Sequence, residues 1–487
     1  MIRRGGALTI VLLLAAAAPA GAATITVNTT ADQFGTGGAC SLREAVQAAN
    51  VNTYFGGCAR RGDSQSDLIL LRPGKTYTRS IAGADDSNAT GDLDVTRSVE
   101  IRPSGRRGRA TIDAASLSRV LEILAPARVT ISRLNLRGGL PADPGETREG
   151  GGVRVASGAR LRISDSSIAE NRVGGPSAEG GGIANRGTLS ASRVRIAKNR
   201  VISMGAANGA GILNADSGSA TLDRVTVTGN EASNVGAGIS NYSGRLTITR
   251  STIAGNTAGY GGGGIYAGGA VTPGAVVVRE TTVSGNTALA NSTNAGGGGI
   301  SVGDFGGGTT RLFNTTVSGN STRGVGGGIS VYAGQTTAHG STIVFNTADS
   351  DADGTGGGGG ISGFVAFANS IVAANKDLNP GVKSPDCSGA SSAGHSLVGD
   401  TNGCGTGPSD VTGKAPLLGP LAANGGPTKT HLPKAASPAV NRGSPLKPGK
   451  DVLGTGACTA RDQRGIRRPQ GSRCDIGAVE RRASGRP

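Results

Sequence analysis

Between residues 150 and 375 the apolar positions come in short runs interrupted by polar residues. LTITRSTI at 246–253 places them at every second position, the alternation of a strand with one buried face, and β-branched residues are plentiful. No amphipathic helix of useful length is readable between Arg97 and Asn375. Two phrases recur. The first is glycine-rich and runs into an isoleucine: GGGIAN at 180–185, GAGILN at 209–214, GAGISN at 236–241, GGGIYA at 262–267, GGGISV at 297–302 and 326–331, and GGGISG at 358–363. The second is Thr/Ser-rich and ends on Asn171, Asn199, Asn230, Asn256, Asn286, Asn320, Asn346 and Asn375, spaced by 26 to 34 residues. A period of that size marks a solenoid.

Three strand-like pieces fall in each period, as in GIYA at 264–267, AVVV at 275–278 and TTV at 281–283. Three strands per recurring turn describe a parallel β-helix with isoleucine and valine stacked inside, each coil about 4.8 Å above the last. Glycine suits the sharp corners because it lacks the Cβ that clashes at positive φ. Asparagine tolerates left-handed backbone, and its amide can bond to the same residue one coil on, so the eight asparagines are expected to form a corner ladder.

The pattern changes at both ends. CSLREAVQAAN at 40–50 carries Leu42, Ala45, Val46 and Ala49 at helical spacing, with Ser41 and Glu44 as a capping box. A short helix plugging the solenoid is expected there, with Arg43 in an exposed salt bridge. After Asn375 the repeat stops and prolines rise. The chain opens with Arg3 and Arg4, an apolar run over 8–18 and Ala20-Gly21-Ala22, the layout of a cleaved secretory signal. That run is shorter than the roughly 20 residues a spanning helix needs. The expected organisation is a signal peptide over 1–22, an N-terminal cap over 23–90, β-helix repeats over 91–378 as a rod of roughly ten coils and about 50 Å, and a C-terminal module over 379–487.

Six cysteines in an exported chain point to disulfides. Fifteen pairings are open to them; short loops close most easily, which favours Cys40–Cys58, Cys387–Cys404 and Cys458–Cys474. A net charge of +16 favours acidic partners, an acidic glycan or cell-envelope polymer, unless it reflects arginine spread over solvated turns. Export and the absence of helix-turn-helix or zinc-finger spacing speak against nucleic acid. A secreted or cell-surface monomer with no transmembrane segment in the mature chain is the expectation. The absence of tryptophan and an aromatic content of 3% weaken any sugar site built on an aromatic platform.

The Gly-Gly-x-Ile and Asn-ending phrases resemble those of polymorphic outer-membrane-protein-type bacterial right-handed β-helix proteins. CSLREAVQAAN resembles the signature of the CSLREA domain at the start of such proteins. Asp462, Arg464, Gly465, Arg468, Pro469, Cys474, Asp475, Gly477 and Glu480 match the choice-of-anchor Q domain, a resemblance that implies a surface-associated, disulfide-bonded C-terminal module. The fold class is therefore all-β, a right-handed parallel β-helix of the pectin-lyase-like type with an N-terminal capping helix.

Exported β-helices of this type include polysaccharide lyases and hydrolases, which need clustered carboxylates with a base or a carboxylate pair across the scissile bond. From Arg97 to Asn375 acids are scarce, the repeats show no paired aspartates in successive strands, and RIAK at 195–198 sits inside an ordinary repeat phrase. Asp92 and Asp94 could bind a cation, but short acidic turns usually cap or solvate backbone, the reading preferred for them. Arg102, Arg106, Arg107 and Arg109 form the densest basic cluster of the first half. His339, His395 and His431 lack metal-ligand spacing. Asp349, Asp351 and Asp353 have the spacing of half an EF-hand loop, with Gly360 where the bidentate glutamate would stand; a weak Ca²⁺ site there is the sole cofactor expectation. The balance favours a structural or binding protein, an adhesin-like rod without a catalytic site. The rival is a polysaccharide lyase or glycoside hydrolase acting on an acidic glycan.

Overall fold

The computed structural model describes residues 23–60, 66–203, 205, 208–269, 274–293, 296–303, 308–381, 383–449 and 456–482; the expected signal peptide lies outside them. Among the described residues, short parallel strands stack into four long sheets of 14, 11, 13 and 8 strands. The 11-stranded sheet shows the rule: Leu93–Val95, Leu121–Ile123, Val153–Val155 and Ile183–Asn185 lie side by side, one from each successive coil, and so on to Cys387–Ser388. The fold is an all-β, right-handed parallel β-helix.

Repetition of the phrases becomes repetition of contacts. Ile183, Ile212, Ile239, Ile265, Ile300, Ile329 and Ile361 pair in register, and none is exposed. Each such burial contributes about 1.5–3 kcal/mol. The central coils hold four strands rather than the three read from the sequence. The fourth follows each ladder asparagine and is two or three residues long, as at Thr257–Ala258, too short for alternation to mark it. Parallel pairing also starts earlier and ends later than the 91–378 span of the repeat. It begins at Ala23 and reaches Thr412, so the 14-stranded sheet extends about 60 Å rather than 50. The outer coils keep strand register but lack the glycine phrase by which coils are recognised.

The eight asparagines are buried at one corner, each Nδ2 donating to the Oδ1 of the next at 2.9–3.0 Å, and Asn375 donating to Asp386. The left-handed residue is not the asparagine but the one before it: Glu170, Lys198, Gly229, Gly255, Gly285, Gly319, Phe345 and Ala374. The asparagine keeps ordinary backbone because its side chain must point along the stack. A shorter second ladder joins Asn185, Asn214 and Asn241. The glycine triplet has two separate reasons. Gly262 has φ +62°, whereas a Cβ on Gly264 would lie 2.6 Å from the carbonyl oxygen of Gly299 and 3.0 Å from the Asn286 amide nitrogen.

Among the described residues one helix, α1 (Leu42–Val51), sits on the first coils with the Ser41–Glu44 capping box formed. Beyond Thr412 the chain leaves the stack and runs back along the 13-stranded sheet, touching coils from Glu280 to Asn369. Within this segment Asp462 holds Arg464 and the Glu480 backbone N–H, while Arg468 donates to the Asp475 and Gly477 carbonyls. The disulfides are Cys40–Cys58, Cys387–Cys404 and Cys458–Cys474. No helix among the described residues is long and apolar enough to cross a membrane.

Candidate functional site

The polar letters of CSLREAVQAAN build outward from α1. Arg43 is fully buried, not in the exposed salt bridge expected of it. Its guanidinium pairs with Asp32 at 2.8 Å and donates to the carbonyls of Asn88, Thr90, Gly91 and Asp92 at 2.8–3.2 Å. Asn50 donates to the Asp94 carbonyl and accepts from Thr96 N–H. The helix thus grips the loop over 88–92 and the strand Leu93–Val95 that follows it.

Those segments carry carboxylates into a cleft of about 360 Å³, lined among others by Asp85, Asp86, Asp92, Arg119, Glu122 and Arg154. In the 11-stranded sheet Asp94 pairs in register with Glu122, and Glu122 with Arg154. Acids on successive strands therefore meet at the edge of the repeats, Asp94 lying before the stretch from Arg97 to Asn375 in which the sequence shows no paired aspartates. Asp92 and Asp94 are buried, and Asp94 accepts from the Asn88 N–H. Their signal is the triplets LDV, LEI and VRV, each a charged residue between two core-facing apolar ones, one coil apart. A chain of ion pairs links the coils. Asp92 bonds Arg119 at 2.9 Å, Arg119 and Arg154 both hold Glu122, Arg154 reaches Glu149 at 3.3 Å, and Arg186 holds Glu149 at 2.6 Å.

Burial dominates the electrostatics. It pushes the Asp94 carboxyl up to about 9, assisted by the charges of Asp92 and Glu122. It also raises Asp92 and Glu122 against the pull of Arg119. Burial alone would lower Arg119, but Asp92, Glu122 and Glu146 around it outweigh that and raise it, so it remains a cation. Arg79, behind the cleft, is brought down to about 10 by burial and then by Arg43. Its Nη1 donates to the Val120 carbonyl at 2.9 Å, and its Nε and Nη2 have no hydrogen-bond partner. Chemically the cleft offers carboxyl groups of unlike protonation beside fixed guanidinium groups.

The structure brings Asp349, Asp351 and Asp353 together, with carboxylate oxygens within 4.8 Å of one another. Asp349 is buried and accepts the N–H groups of Asp353 and Gly354, Asp351 lies 3.7 Å from Arg323, and Asp353 bonds Asn291 and Thr355. Gly360 belongs to the next corner, against the Asn375 amide. His339 and His431 tie the C-terminal segment to the coils, through the Ala457 carbonyl at 2.7 Å and Ser318 Oγ at 2.8 Å; His395 is a left-handed corner residue whose N–H donates to Ser409 Oγ.

A second feature lies on the 14-stranded sheet. Arg128 and Arg160 pair in register, and Arg162 follows two residues along the same strand. All three are exposed and, among the described residues, no carboxylate forms an ion pair with them. Arg106, Arg107 and Arg109 are exposed in the adjoining turn, whereas Arg102 is paired with Glu100 at 2.7 Å. One coil on, the same columns hold Thr188 and Ser190.

No family model matches the chain, and no curated protein matches it. Among solved structures it is similar to the crystal structure of pectate lyase Pel9A, at 15% identity over 85% of this chain and 88% of that chain, with a TM-score of 0.36.

Proposed function

We propose that the protein is a secreted or cell-surface β-helical rod that binds an acidic glycan or cell-envelope polymer. The carrying observation is the exposed set Arg128, Arg160 and Arg162, rigidly spaced by strand register and not offset by carboxylates. Adjacent strands set Arg128 and Arg160 about 5 Å apart, and Arg160 and Arg162 about 7 Å apart along the strand. Three guanidinium groups set at a corner with that spacing suit neighbouring carboxylates or phosphates of a polymer. Three disulfides and the resemblance of CSLREAVQAAN and of the C-terminal residues to domains of exported proteins support the location. The test is binding of the mature chain to polygalacturonate at rising salt. Replacing Arg128 and Arg160 by threonine and Arg162 by serine, the residue types of the next coil, should weaken binding about ten-fold or more and flatten its salt dependence. Unchanged affinity would sink the proposal.

Polysaccharide cleavage is the second reading, favoured by the cleft. There Asp94, whose carboxyl burial pushes up to about 9, stands behind Glu122 and Asp92, which are paired with Arg119. Its readout is separate: new chain ends released from pectate, alginate or neutral glycans, lost on Glu122→Gln.

A further inference from the structure

We propose that Asp86, Asp94 and Glu122 form a binding site for one divalent cation, Ca²⁺ by its chemistry. One carboxylate oxygen from each lies within 4.8 Å of the others. Asp94 is the independent pointer: it is fully buried, and its Oδ1 has no hydrogen-bond partner while Oδ2 accepts from the Asn88 N–H at 3.1 Å. A buried oxygen left unpaired is costly unless something fills its place. A second orphan, Oε2 of Glu146, is buried in a residue that lines the same cleft. Both Glu122 oxygens accept from guanidinium groups, and each retains a second lone pair. Five carboxyl groups, of Asp85, Asp86, Asp92, Glu122 and Glu146, line the cleft with the two guanidinium groups of Arg119 and Arg154, so the cluster has room for positive charge, and a cation on Asp94 takes the place of its proton.

The donor set is oxygen throughout, which selects hard cations over zinc or copper. The three ligands come from a loop and two adjacent strands, an irregular set that suits Ca²⁺, with its flexible six to eight ligands, better than octahedral Mg²⁺. The cleft admits solvent to complete the shell. Asp86 is exposed, so it can be removed without disturbing the core. The site is independent of the arginine set, and its test uses no glycan.

The test is calorimetric titration of the metal-stripped mature chain with CaCl₂, for the unchanged protein, for Asp86→Asn, and for the double variant Asp351→Asn/Asp353→Asn that disarms the other acidic cluster. The expected result is one Ca²⁺ with a dissociation constant of about 10⁻⁴ to 10⁻³ M, as in extracellular modules. It is retained by the double variant and weakened about ten-fold or lost in Asp86→Asn. No uptake at millimolar Ca²⁺, or an Asp86→Asn titration identical to that of the unchanged chain, overturns the proposal. Terbium(III) luminescence on the same three proteins gives a second readout.

Discussion

At the residue scale, His339 and His431 each have one assignable tautomer. The Ala457 carbonyl can only accept, so His339 donates from Nε2 and leaves Nδ1 bare and buried without a partner. His431 donates from Nδ1 to the Gly419 carbonyl at 2.7 Å, so its Nε2 accepts from Ser318. A proton on the His339 Nδ1 finds no acceptor, and one on the His431 Nε2 requires the Ser318 hydroxyl to turn from donor to acceptor. Burial, and then Arg468, lowers His339 to about 4; burial also lowers His431. A histidine depressed in the folded state is stabilising above its unfolded value near 6.5, and that contribution disappears as pH falls toward the folded value. The melting temperature should therefore drop between pH 6.5 and about 4, with up to about 3 kcal/mol assignable to His339. His339→Gln should flatten that part of the profile while lowering stability at pH 7, as read by calorimetric scans across pH. None of this was legible in the sequence, because the partners lie 118 and 113 residues away and no repeat connects them.

At the element scale, the asparagine ladder is what one coil offers the next besides its backbone. Asn286 alone accepts from the backbone and side-chain nitrogens of Asn256 and donates to the Ile253 carbonyl and to Asn320, all at 2.9–3.0 Å. Asn286→Ala strands several buried groups at once, each worth about 1–3 kcal/mol when unsatisfied. The urea midpoint should fall by the equivalent of about 3 kcal/mol. A change at an exposed strand residue, such as Thr221→Ala, should move it far less. The coils were readable because equivalent positions contact one another, so a repeated letter implies a repeated contact. The cleft was not, although Asp94, Glu122 and Arg154 also recur at coil spacing. Their letters differ, and a change of charge from coil to coil looks like variation rather than design. The paired acids became visible only once register was known.

At the scale of the whole molecule, two of the three disulfides stand where the stack ends and where the chain turns back. Cys387–Cys404 ties the last coils, and Cys458–Cys474 closes a loop in the returning segment. Removing a native disulfide typically costs about 2–5 kcal/mol. Under reduction, limited proteolysis should first cut within residues 414–482, leaving a resistant fragment that contains the coils before Asn346. Simultaneous loss of the coils and the tail would contradict a tail that is clipped onto a stack able to stand without it.

That tail has a further consequence. It grips the coils at fixed stations, Thr282 through the Lys429 carbonyl, Thr316 through Gln463, Thr342 through the Ala478 N–H and Asn369 through the Gly456 carbonyl. Each station is one rung of about 4.8 Å beyond the previous one. The tail is therefore a ruler that counts rungs. Duplicating a coil upstream of Thr282 would lengthen the rod and leave every station in place. Duplicating one between Thr316 and Thr342 would put the marks out of step with the scale. In this protein, growth by repetition is open at one end and gauged at the other.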